Sequence, residues 1–385
     1  MKKKKICFVT TVPSTLRSFI LETAKFLYNT DEFDITFVSN YDESFKKNLP
    51  KYINYQAIQM KRGISFDGLN AIYRMYKFFK KEKFDLIQYS TPNASLYVSV
   101  AAFFARVPVR LYAQWGIVYV GFSGFKRKIF KCIEKLVCTL STHVQPDSYG
   151  NLSFGISENL YKKEKGSVIW NGSACGIKLD KFDISKKSIW SKEIREQYNI
   201  DEDTFIYGFV GRINKDKGID ELLEAFQLLE KEKTNVKLIL VGSEENTQLL
   251  NQELFSWAKS NPNIIFCGRQ SDVERYYSAL DCYILPSYRE GFGMGVIEAE
   301  SMGVPVIVSN IPGPTDAMQK NVTGLICEKK NAIDLKDKML TILNKELCLQ
   351  YGQNAVCFVV DNFEQRRLFE HILENRRSLL NMKRR

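Results

Sequence analysis

One stretch in the second half of the chain, residues 208–218, reads GFVGRINKDKG. An apolar run ends at Val210, Gly211 follows, and a helical pattern starts after Lys217. A strand that feeds a helix through a glycine turn is the building unit of α/β folds. The free N–H groups at a helix start, with Arg212 and Lys217 beside them, suit a diphosphate. The stretch therefore predicts a phosphate-binding strand–turn–helix unit, and a basic turn that only caps the helix stays open as the alternative.

The same stretch matches neither of two well-known glycine-rich nucleotide motifs. It lacks the G-x-x-x-x-G-K-[ST] pattern of P-loop enzymes and the G-x-G-x-x-G pattern of dinucleotide-binding folds. Both absences weigh against an ATPase and against an ordinary dehydrogenase.

Short apolar runs alternate with amphipathic helical stretches on both sides of this unit. Such alternation predicts parallel sheets with helices on both faces. Turn signals at Asn171-Gly172 and Gly176 indicate a break between two halves. We therefore predict an α/β fold with two Rossmann-like parallel-sheet domains facing a cleft. The first would span residues 1–170 with a C-terminal helix at about 364–385, and the second residues 171–363.

Twelve short runs rich in β-branched and apolar residues are the predicted strands. In the first half they are Ile6–Thr10, Ile35–Ser39, Tyr55–Ile58, Leu86–Tyr89, Val109–Tyr112 and His143–Gln145. In the second half they are Phe205–Val210, Leu238–Val241, Ile264–Cys267, Cys282–Leu285, Val306–Val308 and Leu325–Cys327. Helices are predicted between them, for example at Asp220–Lys231, Thr247–Lys259 and Val296–Met302.

A second constellation, residues 286–299, follows the predicted strand Cys282–Leu285 and reads PSYREGFGMGVIEA. Glu290 lies in the loop beyond the strand, and Glu298 in the first or second turn of a helix that begins near Met294. The glycines between them leave backbone N–H groups accessible to a ligand. Two carboxylates beside such a loop suit a ligand with many hydroxyls, one holding a sugar and the other a ribose. A Glu298 that only stabilises its own helix start is the alternative.

The two stretches together resemble retaining glycosyltransferase family 4. The resemblance is strongest over residues 200–330, and the E-x7-E spacing of Glu290 and Glu298 is its most specific mark. It implies the two-domain GT-B fold and the retaining transfer of a hexose or N-acetylhexosamine from a nucleotide-diphosphate sugar, with UDP as the expected nucleotide. It also implies that the enzyme needs neither a metal nor a cofactor, because the nucleotide sugar is a substrate.

The resemblance assigns roles to individual residues of the second half. Arg212 and Lys217 would bind the donor diphosphate, and Glu290 would face the transferred sugar; these three form the predicted catalytic set. Glu298 would bind the ribose. The other predicted donor contacts are Gly211, Arg269, Gln270, Gly293 and Met294.

The first half resembles a bacterial surface-polysaccharide branch of the family, which acts on lipid-linked saccharides in capsule and lipopolysaccharide synthesis. The segments that carry this likeness are Thr91–Ala94 and Tyr112–Gly116. In the second segment Trp115 replaces the histidine that contacts the donor sugar in the family. We expect either Gln114 to substitute through its amide or Trp115 to pack on an apolar sugar face. Candidates on the acceptor side are Thr11, Ser14, Arg17 and Thr91.

Basic charge is concentrated in the first half. Residues 1–170 hold 26 Lys and Arg against 13 Asp and Glu, while the remaining residues hold 29 against 31. This asymmetry indicates an anionic partner, and no RNA-binding or helix-turn-helix motif points to nucleic acid. Residues 125–136 and 73–83 are basic and amphipathic, which predicts contact with an anionic membrane surface. In the alternative, Ile129, Ile133 and Leu136 face the core and only the lysines meet water.

The chain has no run of ~20 apolar residues that would make a membrane helix. Its first apolar run, Ile6–Val9, is too short for the core of a signal peptide. Nine cysteines without a C-x-x-C pair are typical of reduced, buried thiols. We therefore expect a cytoplasmic protein, peripheral to the inner face of the membrane if the basic helices touch lipid.

Two other classes of function stay open at this stage. A nucleotide-sugar epimerase or a phosphorylase could use the same architecture, although two histidines offer little acid–base chemistry. A non-catalytic subunit that binds sugar nucleotides is the other class. The intact set of Arg212, Lys217, Glu290 and Glu298 argues against it.

Overall fold

Each half of the chain builds its own six-stranded sheet in the computed structural model, which describes residues 2–60 and 66–381. The chain divides into two compact units. Unit 1 comprises Met1–Cys175 and Arg366–Arg385, and unit 2 comprises Gly176–Gln365. The last helix therefore belongs to the unit in which the chain begins.

The sheet of unit 1 is parallel throughout, with the strand order β3-β2-β1-β4-β5-β6. Its strands are β1 Lys4–Val9, β2 Phe33–Ser39, β3 Asn54–Ala57, β4 Leu86–Tyr89, β5 Val109–Gln114 and β6 His143–Pro146. The helices are α1 Pro13–Thr15, α2 Leu21–Asn29, α3 Glu43–Lys47, α4 Phe66–Glu82, α5 Pro92–Phe104, α6 Gly124–Leu140, α7 Tyr149–Ser157 and, at the end of the chain, α15 Gln365–Asn381. A π-helical turn, Leu16–Ile20, joins α1 to α2.

Two apolar cores cover the two faces of this sheet. The first packs α4, α5 and α6 on one face, through residues such as Met75, Val98 and Val137. The second packs α2 and α15 on the other face, through residues such as Leu27 and Leu368. Strands buried on both faces read as continuous apolar runs, which is why the sequence revealed them.

Unit 2 is also a parallel sheet, with the strand order β12-β11-β10-β7-β8-β9. Its strands are β7 Phe205–Val210, β8 Val236–Val241, β9 Ile264–Gly268, β10 Cys282–Leu285, β11 Val306–Ser309 and β12 Gly324–Cys327. Its helices are α8 Lys187–Gln197, α9 Ile219–Glu230, α10 Gln252–Ser260, α11 Val273–Ala279, α12 Met294–Ser301, α13 Ala332–Ile342 and α14 Lys345–Phe363. One large apolar core holds sheet and helices together.

The predicted helix at Thr247–Lys259 starts later than expected. A short 3-10 turn occupies Thr247–Leu249, and α10 begins only at Gln252. The Asn251 side chain accepts a hydrogen bond from the Leu254 N–H at 3.2 Å. An asparagine cap of this kind satisfies a free N–H of the first turn and so fixes where the helix starts.

Candidate active site

The two motifs of the second half meet at one place in unit 2. Strand β7 lies between β8 and β10, so the chain winds outward from β7 in both directions. In open α/β sheets, ligands bind beyond the carboxyl ends of the strands at such a switch point. The loop after β7 (residues 211–218, the β7 loop) and the loop after β10 (residues 286–293, the β10 loop) both lie there.

Gly218 allows the two loops to touch through their backbones. Its φ is +69°, and a side-chain carbon at this position would lie 2.1 Å from the Pro286 carbonyl oxygen. Any other residue would therefore separate the loops. Just before it, the Asn214 side chain accepts a hydrogen bond from the Lys217 N–H at 3.2 Å. This bond stabilises the 3-10 turn Lys215–Lys217, so α9 starts at Ile219.

Lys217 and Glu290 form an ion pair across the two loops. The Lys217 Nζ contacts Glu290 Oε1, and the two side chains are only 18% and 13% exposed. The Ser287 hydroxyl donates to the same oxygen at 2.7 Å. The structure thus joins two of the three predicted catalytic residues, with a cation and a carboxylate side by side at the switch point.

Glu298 lies in the second turn of α12, close behind the β10 loop. Gly293 precedes this helix in the left-handed region, with φ +90°, and leads directly into Met294. The Tyr277 hydroxyl donates to Glu298 Oε2 at 3.0 Å. Burial raises the pKa of Glu298 above its usual value, against the opposing effects of the Tyr277 hydroxyl and of Lys181.

Arg212 does not join the Lys217–Glu290 pair. Its side chain is 58% exposed and its Nη1 donates to Glu245 Oε2 at 3.2 Å. Gly211 lies in close backbone contact with the loop after β8, because a side-chain carbon on Gly242 would be 1.7 Å from the Gly211 carbonyl oxygen.

Two further predicted donor contacts follow strand β9. Arg269 is exposed, and the Gln270 amide donates to the Cys267 carbonyl oxygen at 2.6 Å. Both therefore lie at the same edge of the sheet as the β7 loop, because parallel strands end at one edge.

Two predicted acceptor-side residues meet at the switch point of unit 1. Thr11 follows β1 and Thr91 follows β4, the two strands from which this sheet winds outward. Their hydroxyl oxygens are 2.9 Å apart, and the Thr11 hydroxyl also accepts from the Ala94 N–H at 3.3 Å. Ser14 and Arg17 are exposed nearby in sequence, and the Arg17 guanidinium lies 5.7 Å from the Phe45 ring centroid.

Gln114 has a structural environment that argues against the expected donor contact. It is fully buried, and its amide donates to Glu134 Oε1 at 2.5 Å. The Tyr161 hydroxyl donates to the Gln114 side-chain oxygen at 3.3 Å. Both ends of the amide are thus used inside unit 1. Trp115 is partly buried and packs against Phe19, with ring centroids 5.6 Å apart.

Four residues of this geometry were not assigned a role from the sequence: Ser287, Asp216, Tyr288 and Arg289. A signal was present for two of them. Asp216 stands one position before Lys217, and Arg289 one position before Glu290, with opposite charges. Only the meeting of the two loops reveals that these charges pair.

Over residues 2–60 and 66–381, no group of three or more His, Cys, Asp or Glu is placed to hold a metal ion. Within the same ranges, no helix has the length and apolar character needed to cross a membrane.

Comparison with known proteins places this chain in a family. Residues 191–356 match the family model "Glycosyl transferases group 1", and residues 5–147 match "Glycosyl transferase 4-like". The capsular polysaccharide biosynthesis glycosyltransferase CapM of Staphylococcus aureus is 31% identical over 377 residues, which is 97% of this chain and 96% of CapM. The chain belongs to the GT4-type glycosyltransferase family.

Other comparisons agree with this GT4-type assignment. The UDP-Gal:alpha-D-GlcNAc-diphosphoundecaprenol alpha-1,3-galactosyltransferase of Escherichia coli is 25% identical over 293 residues, covering 72% of this chain and 73% of that enzyme. The crystal structure of Anabaena HepE in complex with UDP superposes with a TM-score of 0.78 at 20% identity, over 97% of this chain and 100% of HepE. The predicted GT-B fold class of this GT4-type glycosyltransferase is therefore confirmed.

Proposed function

We propose that this GT4-type glycosyltransferase is retaining and moves a hexosyl or N-acetylhexosaminyl group from a UDP-sugar to a lipid-linked saccharide in capsule or O-antigen synthesis. The Lys217–Glu290 ion pair at the switch point of unit 2 is the observation that carries the proposal. The names of CapM and of the E. coli galactosyltransferase support the process, the nucleotide and the lipid-linked acceptor. Family membership also favours transfer over the epimerase, phosphorylase and non-catalytic alternatives.

The chemistry follows from the charges that a glycosyl transfer creates. Breaking the sugar–phosphate bond leaves negative charge on the departing diphosphate, and a fixed cation lowers the barrier by stabilising it. Lys217 supplies that cation, and the more exposed Arg212 a second one. A hydroxyl of the transferred sugar donates to Glu290, while the ribose hydroxyls donate to Glu298.

Retention of configuration follows if the acceptor hydroxyl enters on the face from which the phosphate leaves. A phosphate oxygen can then take the acceptor proton, so the reaction needs no histidine base. The two cations also offset part of the charge of the diphosphate, which is why we propose metal-independent transfer. Arg269 and Gln270, after β9, complete the donor site on the side of the base.

Turnover of the isolated chain tests this proposal directly. Purified protein is incubated with UDP-sugars and a synthetic polyprenyl-diphosphate saccharide, and the anomeric configuration of the new linkage is read by NMR. We expect UDP release that depends on the acceptor, and an α-linked product from an α-linked donor. Inversion would refute the retaining mechanism, and the absence of transfer from any nucleotide sugar would refute the proposed function.

We also infer that α6 of unit 1 contacts an anionic membrane. Phe125, Ile129 and Leu136 lie along one side of the helix and are 78%, 39% and 44% exposed. The alternative in which Ile129 and Leu136 face the core is therefore wrong, while Ile133 is partly buried. Exposed lysines flank this apolar stripe: Lys126, Lys128 and Lys135. An exposed apolar stripe with flanking cations suits the interface of an anionic lipid layer.

Vesicle flotation tests this membrane contact. We expect the protein to float with vesicles that contain phosphatidylglycerol and to stay unbound with phosphatidylcholine alone. The double substitution Lys128→Glu and Ile129→Glu should weaken binding about tenfold or more, because each surface cation contributes about 1 kcal/mol. The control is Ile189→Glu, since Ile189 is 60% exposed on α8 of unit 2. This part of the proposal places the protein on the cytoplasmic face of the membrane. Equal, negligible binding to both vesicle types would refute it.

A further inference from the structure

The β10 loop is attached to the β7 loop by more than the Lys217–Glu290 pair. Arg289 Nη2 donates to Asp216 Oδ2 at 2.6 Å. The Tyr288 backbone N–H donates to the Asp216 carbonyl oxygen at 2.9 Å. Asp216 thus holds the β10 loop with both its side chain and its backbone.

A second side-chain contact attaches the β10 loop to helix α9. The Tyr288 hydroxyl lies 2.7 and 2.8 Å from the two carboxylate oxygens of Glu221, in the first turn of α9. On the other side, the Lys330 Nζ lies 4.7 Å from the centre of the Tyr288 ring. Tyr288 is therefore held by its hydroxyl, which contacts Glu221, and by its ring, which contacts the Lys330 ammonium.

The Asp216–Arg289 pair lies one residue before the Lys217–Glu290 pair on both loops. Asp216 immediately precedes Lys217, and Arg289 immediately precedes Glu290. An outer ion pair therefore stands next to the inner one, and the charges are reversed: the acid is on the β7 loop in the outer pair and on the β10 loop in the inner pair. With this reversal, the crossed pairings between the loops, Asp216 with Glu290 and Lys217 with Arg289, would bring like charges together and are disfavoured.

We propose that Asp216, Arg289 and Tyr288 are positioning residues that hold Lys217 and Glu290 at the spacing needed by the diphosphate and the attached sugar. The inference rests on the proposed function and deepens it. None of the three has to touch the donor; each acts through the neighbouring reactive residue.

The exposure of the outer pair distinguishes a role in positioning Lys217 and Glu290 from a role in folding stability alone. The side chains of Arg289 and Asp216 are 33% and 49% exposed. Ion pairs this close to water contribute little to folding stability. A displacement of about 1 Å at a reacting group, in contrast, costs about 10²-fold in rate. Loss of the outer pair should therefore lower turnover far more than it lowers the melting temperature.

Asp216→Asn is the first test, in the full-length protein with a UDP-sugar and acceptor. We expect kcat to fall about 10- to 100-fold, with UDP affinity within about threefold of wild type, because a displaced reactive group chiefly loses transition-state stabilisation. The melting temperature should change no more than in the control Glu193→Gln. That control removes another exposed carboxylate–arginine pair of unit 2, between Glu193 and Arg275 at 2.8 Å, and should leave kcat unchanged.

Exchange of the two charges is the second test. Asp216→Arg and Arg289→Asp should each lower kcat when made alone. The double variant should have a kcat at least about tenfold higher than either single variant, as expected of a pair that acts as a unit. Wild-type kcat in Asp216→Asn, or losses that simply add in the double variant, would overturn this inference alone. A wild-type chain that transfers no sugar would overturn the proposed function and this inference with it.

Discussion

The two sheets have the same winding but different chemistry at their switch points. Counted from the first strand of each unit, both follow the order 3-2-1-4-5-6. In unit 1 the loops at the switch point pair two neutral hydroxyls, those of Thr11 and Thr91. In unit 2 the corresponding loops pair a cation with a carboxylate, Lys217 with Glu290. Topology thus fixes where a ligand can bind, while the residues that follow the strands determine which ligand it is.

Replacing Lys217 tests the charged switch point most severely. We expect Lys217→Ala to lower kcat about 10²–10³-fold, because it removes a cation that we propose stabilises the leaving diphosphate. Turnover of UDP-sugar with acceptor measures the effect. The control is Lys215→Ala on the same turn, whose Nζ lies 3.9 Å from Asp220 and whose side chain is 54% exposed. Near-normal turnover in Lys217→Ala would remove the contrast between the two switch points.

Gln114→Leu tests whether Gln114, at the end of β5, stabilises unit 1 rather than binding a ligand. The substitution leaves Glu134 without one hydrogen-bond donor, so we expect the free energy of unfolding to fall by about 1–3 kcal/mol. We expect turnover per folded molecule to stay within about twofold, since both ends of the Gln114 amide are already hydrogen-bonded, to Glu134 and Tyr161. The measurements are denaturant unfolding, turnover and donor KM. A raised donor KM without loss of stability would support the sugar contact expected from the sequence.

The same variant has a pH dependence with a definite sign. Burial raises the pKa of Glu134, and the Gln114 and Tyr112 hydrogen bonds lower it again. A carboxyl with a raised pKa in the folded state costs stability as the pH rises above its unfolded pKa, usually about 4.3. Loss of the Gln114 donor raises this pKa further. The stability difference between wild type and Gln114→Leu should therefore be smaller at pH 4 than at pH 8.

Thr11→Val tests the neutral switch point and should have the smallest effect. It removes the hydroxyl that contacts Thr91 and accepts from the Ala94 N–H. We expect the free energy of unfolding to fall by about 0.5–1.5 kcal/mol, the net contribution of an ordinary hydrogen bond. Thermal unfolding measures it. A loss of turnover as large as that of Lys217→Ala would instead make Thr11 part of the reaction and erase the difference between the units.

The sequence predicted the sheets better than it predicted the contacts within the site. All twelve strands lie where apolar runs indicated, because buried parallel strands leave a local signal. Asp216 and Arg289 are 73 positions apart, as are Lys217 and Glu290. No local periodicity reports such pairs; they arise only when two loops meet at a switch point. The buried hydrogen bonds of Gln114 could not be predicted for the same reason, since its partners Glu134 and Tyr161 come from distant segments.

The return of α15 to unit 1 affects how the protein is made. Unit 2 is one continuous segment, but one of the two cores of unit 1 needs Leu368, Phe369 and Ile372 from the last helix. On the ribosome, chains are synthesised from the N-terminus at about 5–20 residues per second. One apolar face of unit 1 therefore stays exposed until α15 has been synthesised, whereas unit 2 is one continuous segment that can fold before α15 is available. Chaperones that shield apolar surfaces of nascent chains would therefore bind the first half of this protein.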